Sequence, residues 1–104
     1  MAHILDRLYN TVAARRGADP EKSYTAKLLG EGAERCAKKF GEEAVEAVIA
    51  AVKGDKEEIT AESADVLYHL MVLWAATGVE PASVYAVLEA REGRSGLEEK
   101  ASRG

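Results

Sequence analysis

Residues 33–52 read AERCAKKFGEEAVEAVIAAV, and this stretch decides the fold. Its apolar side chains recur every three or four residues, as they do on one face of an α-helix. Gly41 lies inside this helix, where glycine costs about 1 kcal/mol relative to alanine, so it marks a kink or a close approach of a ligand or another helix. The spacing predicts a long helix that is apolar on one face. Its opposite face is charged and includes Lys39, Glu42, Glu43 and Glu46.

A second long helix is predicted over residues 56–77, KEEITAESADVLYHLMVLWAAT. Asp55 can cap its beginning, and Gly78 is expected to end it. The later part is apolar nearly all round, which predicts burial on all sides, either inside the domain or at a subunit interface. Within about 60° on one face of this helix lie Glu62, Asp65 and His69. Because Asp65 and His69 fall in the apolar stretch, Asp65 is expected to be buried.

Three shorter helices are predicted around this pair. The first runs to about Arg16, the second follows the cap residue Ser23 and closes near Gly30 or Gly32, and the fifth begins at Pro81. We therefore expect an all-α domain of about five helices over residues 1–93, in which the two long antiparallel central helices carry the acidic motifs. A flexible basic C-terminal tail is expected over residues 94–104.

The composition excludes several classes of protein. The 104 residues carry a net charge of -4, with 14 Lys and Arg against 18 Asp and Glu. Nucleic-acid-binding proteins usually have a basic surplus, so no nucleic-acid partner is expected. No apolar run reaches the roughly 18 residues of a membrane span, and no signal peptide is recognisable, so a cytoplasmic protein is expected. Cys36 falls on an apolar helix face and is predicted to be a buried, inert thiol.

Two acidic pairs at i,i+3 spacing predict a metal site. Glu43 and Glu46 are one pair, and Glu62 and Asp65 are the other. If the two helices pack side by side, these carboxylates meet, repel one another and raise each other's pKa. Mg²⁺ resolves such a conflict because it prefers oxygen ligands. His69 is expected to lie behind such ligands or to donate a hydrogen bond.

Two other interpretations remain open from the residues alone. The three glutamates of the first long helix can form a solvated face, with Lys39 and Lys53 as ion-pair partners. Asp65 and His69 can form a structural pair within the second long helix. Metal binding accounts for both acidic clusters together, which is why we favour it.

Four segments carry a resemblance to a known family: SYTAKL at 23–28, KKFGEEAVE at 38–46, ESADVLYHL at 62–70 and RSGLEEK at 94–100. The two acidic motifs resemble those of the all-α, MazG-type nucleoside triphosphate pyrophosphatases. The first and last segments narrow the resemblance to the phosphoribosyl-ATP pyrophosphatases of histidine biosynthesis, and it covers nearly the whole chain from Leu5 onward. The resemblance implies a MazG-like bundle completed by homodimerisation. It also implies Mg²⁺-dependent hydrolysis of phosphoribosyl-ATP to phosphoribosyl-AMP and pyrophosphate.

The resemblance and the shared helix faces together suggest roles for individual residues. The expected Mg²⁺ ligands are Glu43, Glu46, Glu62 and Asp65, and Glu42 is expected to orient or deprotonate the attacking water. The candidates for substrate binding are Lys39, His69, Arg91, Arg94, Ser95 and Lys100. Two rival functions are a house-cleaning pyrophosphatase acting on dCTP or other nucleotides, and a non-catalytic helical dimerisation module whose acidic face binds a basic partner.

Overall fold

The computed structural model describes residues 3–92, which form five α-helices. They are α1 (Ile4–Ala14), α2 (Tyr24–Glu31), α3 (Ala33–Lys53), α4 (Lys56–Thr77) and α5 (Pro81–Arg91). The described residues contain no strand, so the all-α prediction is confirmed. The predicted C-terminal tail lies outside the described residues.

The long helices α3 and α4 form an antiparallel pair because only two residues connect them. Gly54 ends α3 in the left-handed conformation, with a φ of 74°, which glycine adopts without strain. The Asp55 side chain then accepts a hydrogen bond of 3.1 Å from the backbone N–H of Glu58 and caps α4. Gly78 ends α4 in the same way, and Pro81 begins α5. These helix ends agree with the sequence.

The helix α1 ends at Ala14, within two residues of the predicted end at about Arg16. Beyond the helix, the Arg16 guanidinium donates a hydrogen bond to the backbone carbonyl of Ala75, near the end of α4. The last carbonyls of a helix lack partners within that helix, so this long-range hydrogen bond satisfies one of them and fixes the turn after α1 against α4.

The core lies where α1, α2 and α3 pack against the C-terminal half of α4. Its buried residues are Val12, Leu28, Cys36, Met71, Val72 and Ala75, and Trp74 packs against them. Cys36 is fully buried, and its thiol donates a hydrogen bond of 3.3 Å to the backbone carbonyl of Leu28 in α2. Burial raises the pKa of this thiol, which disfavours the reactive thiolate, and the prediction of a buried cysteine is confirmed.

One side of the helix pair stays open in the single chain. Leu67 of α4 is 39% exposed, so a single chain does not by itself bury this stretch on all sides, and the predicted alternative of a subunit interface stays a prediction. On α3, an exposed apolar row comprises Val45, Val48, Ile49 and Val52. These residues recur at helical spacing and form one stripe, which we call the α3 stripe.

Among residues 3–92, no single helix is both long and apolar enough to cross a membrane. The helices α4 and α5 meet that requirement only when taken together, and they are bent by 116° at their junction.

Gly41 offers a direct test of whether another molecule packs closely against helix α3. A Cβ atom added at this position would meet no other atom within 4 Å. Gly41→Ala is therefore expected to raise the free energy of unfolding by about 1 kcal/mol, measured by urea denaturation. Ala37→Gly, at an exposed position of the same helix, is the matched control and should lower stability by a similar amount. A destabilised Gly41→Ala protein would instead indicate a close neighbour supplied by another molecule.

Candidate active site

Three carboxylates meet where α3 and α4 pack together. Glu43 comes from α3, whereas Glu62 and Asp65 come from consecutive turns of α4. One carboxylate oxygen from each residue lies within 4.8 Å of the other two. Glu43 and Glu62 are half-buried, and Asp65 is exposed. We call these three residues the acidic trio.

Glu62 has the least favourable environment for a negative charge in the acidic trio. Its Oε2 atom is buried, and no hydrogen-bond donor among residues 3–92 reaches it. Burial, followed by the negative charges of Asp65 and Glu43, raises the pKa of the Glu62 carboxyl above its ordinary value. A buried carboxylate oxygen without a donor needs a cation or a proton. Oxygen donors grouped in this way fit a hard divalent cation such as Mg²⁺.

The expectation that Asp65 is buried was wrong for the single chain. Asp65 is exposed, and the buried oxygen belongs to Glu62 instead. The apolar neighbours of Asp65 in the sequence occupy other faces of the helix, so they do not cover its side chain.

Glu46 lies outside the acidic trio, although it carries the same charge on the same helix. Its negative charge contributes to the raised pKa of Glu62, after the larger effects of burial and of the two nearer carboxylates. Glu46 therefore lies close enough to act on the trio electrostatically.

Glu42 is paired with a lysine on its own helix. The Lys39 ammonium lies 3.2 Å from Glu42 Oε1, and the Glu42 side chain is 47% exposed. The hydrogen bond from Lys39 lowers the pKa of the Glu42 carboxyl and raises that of the lysine. The solvated-face interpretation thus describes Glu42, whereas Lys53 pairs with Glu58 of α4 rather than with a glutamate of α3.

His69 lies beside the acidic trio and not within it. Its ring is buried, and its Nε2 atom lies 4.0 Å from Glu43 Oε1. Burial lowers the pKa of His69, and the negative charge of Glu43 partly opposes this shift. The net effect favours the neutral ring over the protonated one. Within the described residues its nearest acidic partner is Glu43 rather than Asp65, against the idea of an Asp65–His69 pair.

Two aromatic side chains pack against His69, and neither was predicted from the sequence as a site residue. The Tyr68 ring meets the His69 ring edge-on with centroids 4.9 Å apart, and the Tyr24 ring does so at 6.3 Å. The Tyr68 hydroxyl is hydrogen-bonded to the Thr25 hydroxyl of α2. The SYT segment and the Tyr68–His69 neighbours were visible in the sequence, but nothing in their spacing indicated that α2 and α4 bring them together.

The other residues predicted to bind substrate are only partly described. Lys39 lies on α3 next to the acidic trio's helix face, and Arg91 is the last residue of α5. The other three, Arg94, Ser95 and Lys100, lie outside the described residues.

A family model and several relatives with the same name match nearly the whole chain. The sequence model of the family described as phosphoribosyl-ATP pyrophosphohydrolase matches residues 5–92. A phosphoribosyl-ATP pyrophosphatase of Cereibacter sphaeroides is 63% identical over 101 residues, covering 97% of this chain and 98% of the relative. A protein of the same name from Parvibaculum lavamentivorans is 64% identical over 103 residues, covering 99% of this chain and 94% of the relative.

A third relative of that name, from Azospirillum brasilense, is 63% identical over 102 residues, covering 98% of this chain and 92% of the relative. The family match covers all five helices except the first residue of α1, and it includes the whole acidic trio. The chain therefore belongs to the phosphoribosyl-ATP pyrophosphohydrolase family.

Proposed function

We propose that this chain is a cytoplasmic enzyme that hydrolyses phosphoribosyl-ATP to phosphoribosyl-AMP and pyrophosphate in histidine biosynthesis. The observation that carries the proposal is the identity of more than three-fifths, over nearly the full length, to proteins named for this reaction. The acidic trio supports it independently, because its three carboxylates can bind a divalent cation, and such a cation would neutralise the charge of a triphosphate.

Glu43, Glu46, Glu62 and Asp65 would hold Mg²⁺. The carboxylates of the acidic trio are close enough to share a cation, and Glu62 carries a buried oxygen that lacks a donor. Glu46 adds its charge from the same face of α3. Bound there, Mg²⁺ would neutralise the triphosphate and polarise the phosphorus under attack.

Glu42 would orient or deprotonate the attacking water. Its bond with Lys39 makes it a weaker base, because the lysine stabilises the carboxylate. A substrate phosphate that attracts Lys39 would remove this stabilisation and restore the basicity of Glu42. In this proposal, substrate binding and activation of the base are coupled through one ion pair.

The positive side chains would hold the phosphates of the substrate. Guanidinium groups bind phosphate through paired hydrogen bonds, and ammonium groups act as point charges. His69, buried against Glu43, would contribute by supporting that carboxylate. The proposed phosphate-binding residues are Lys39, Arg91, Arg94 and Lys100, together with the neutral hydroxyl of Ser95.

We further propose that two copies of the chain assemble as a homodimer. The α3 stripe is an exposed apolar row on the same helix that carries Glu43 and Glu46. Apolar rows of this kind are stabilised when another surface covers them. A second copy would cover the stripe and lie close to the acidic trio.

The assay that tests the function measures pyrophosphate release from phosphoribosyl-ATP with Mg²⁺ and with excess EDTA. We expect turnover only with Mg²⁺, because without a cation the acidic trio repels the triphosphate. Parallel assays with ATP and dCTP test the house-cleaning alternative, and we expect kcat/KM for both to be far lower. Equal or faster hydrolysis of dCTP would contradict the proposed substrate, and turnover in EDTA would contradict the metal.

A further inference from the structure

The short helix α2 reaches the acidic trio through a chain of side-chain contacts. Thr25 lies in the first turn of α2, and its hydroxyl is hydrogen-bonded to the hydroxyl of Tyr68 on α4. Burial raises the pKa of the Tyr68 phenol, so it keeps its proton at neutral pH and the pair always has a donor. This hydrogen bond joins helices α2 and α4 through two residues that are 43 positions apart in the chain.

The next contact fixes the orientation of His69. The Tyr68 and His69 rings meet edge-on, with centroids 4.9 Å apart and planes at 79°. No donor or acceptor among residues 3–92 is bonded to His69 Nδ1, although that atom is buried. With no such bond holding the ring, its orientation depends on the aromatic rings that pack against it, Tyr68 and Tyr24.

The last contact reaches the acidic trio. His69 Nε2 lies 4.0 Å from Glu43 Oε1, which is too long for a hydrogen bond but close enough to limit where the carboxylate can move. A rotation of the His69 ring would therefore change the space available to Glu43. Thr25, Tyr68, His69 and Glu43 form a continuous series of contacts from α2 to the trio.

We propose that Thr25 and Tyr68 are positioning residues, which hold the His69 ring and through it place the Glu43 carboxylate for cation binding. The inference deepens the proposed function and rests on it for the identity of the cation. It also gives α2 a role in the site, although α2 contributes no carboxylate to the acidic trio.

The test removes each hydroxyl while keeping the shape of its side chain. Thr25→Val and Tyr68→Phe are each expected to weaken Mg²⁺ binding about ten-fold, as loss of a partner behind a metal ligand commonly does. Isothermal titration of the metal-free protein with MgCl₂, without substrate, measures this directly. Thr25→Ser keeps the hydroxyl and should bind Mg²⁺ within about two-fold of the wild-type chain.

Two further measurements separate positioning from general stability. The NMR signals of the His69 ring in the metal-free protein should shift in Thr25→Val and Tyr68→Phe and remain in place in Thr25→Ser. Tyr85→Phe is the matched control, since it removes a phenol hydroxyl bonded to Asp6 at 3.1 Å, between α5 and α1. This control should leave both Mg²⁺ affinity and the His69 signals unchanged.

The two variants form a double-mutant cycle. Both substitutions break the same hydrogen bond. The Mg²⁺ affinity of the double variant should therefore equal that of the single variant with the lower affinity. Wild-type Mg²⁺ affinity in Thr25→Val would overturn the inference, as would additive losses in the double variant. Should Tyr68→Phe fail to fold by circular dichroism, Thr25→Val and Thr25→Ser decide the question alone. A wild-type chain that binds Mg²⁺ but leaves phosphoribosyl-ATP intact would refute the proposed function and not the positioning.

Discussion

Glu62→Gln is expected to abolish hydrolysis and, at the same time, to stabilise the metal-free protein. Activity should fall at least about a hundred-fold, because even residues that merely support metal ligands contribute about 10–100-fold. Stability should rise because glutamine removes a charge that burial and Asp65 both disfavour. Steady-state kinetics and thermal melting in EDTA measure the two effects.

The pH dependence of stability provides a second signature of Glu62. Its carboxyl has an ordinary pKa of 4.5 in the unfolded chain and a raised pKa in the folded, metal-free protein. Between these values the folded state binds more protons than the unfolded state, so stability falls as pH rises through this interval. Glu62→Gln should lack this part of the decrease, which urea denaturation at a series of pH values would detect.

Glu57→Gln is the matched control, since Glu57 is an exposed glutamate in the first turn of the same helix. Compared with Glu62→Gln, it should have little effect on turnover or on the pH dependence of stability. Wild-type turnover in Glu62→Gln would contradict the assignment of the acidic trio as the metal site. A lower melting temperature in EDTA would show that Glu62 is not under strain in the metal-free protein.

Val48→Glu is expected to convert the proposed homodimer into a folded monomer. Val48 is 61% exposed in the single chain, so a glutamate there remains solvated and should leave the helix intact. In a dimer that buries the α3 stripe, the same charge would lose its water without gaining a partner. A penalty of a few kcal/mol would weaken dimerisation at least about a hundred-fold. Light scattering after size-exclusion chromatography would report the mass, and circular dichroism the fold.

Thr11→Glu, at an exposed position of α1, adds the same charge away from the stripe and should leave the mass unchanged. A wild-type protein that elutes as a monomer would refute the proposed assembly. A Val48→Glu protein that remains a dimer would instead place the interface elsewhere.

Helix positions were predictable because local chemistry sets most of the helix ends. Asp55, Gly78 and Pro81 act through their own backbone and side-chain atoms, and the structure agrees with each of them. The hydrogen bond from Arg16 to Ala75 was not predictable, because the two residues are distant in the sequence. A periodicity argument contains no information about such a partner.

The candidate site was predictable in its composition but less so in its arrangement. The i,i+3 spacing placed Glu62 and Asp65 on one face, and the structure brings Glu43 to them. Helical periodicity assigns a residue to a face, but the neighbouring helices decide how far that face is covered. This is why Asp65 was wrongly expected to be buried, and why the contact of Tyr68 with Thr25 was missed.

The single cysteine reports on the attachment of α2. Cys36 lies in the core between α2 and α3, and its thiol is bonded to Leu28 of α2. A thiol reagent can reach it only when the helices packed around it separate, and α2 is one of these helices, so the labelling rate under native conditions reports local openings that include those of α2. The chain thus contains an internal probe for the mobility of the helix that supplies Thr25, without any engineered label.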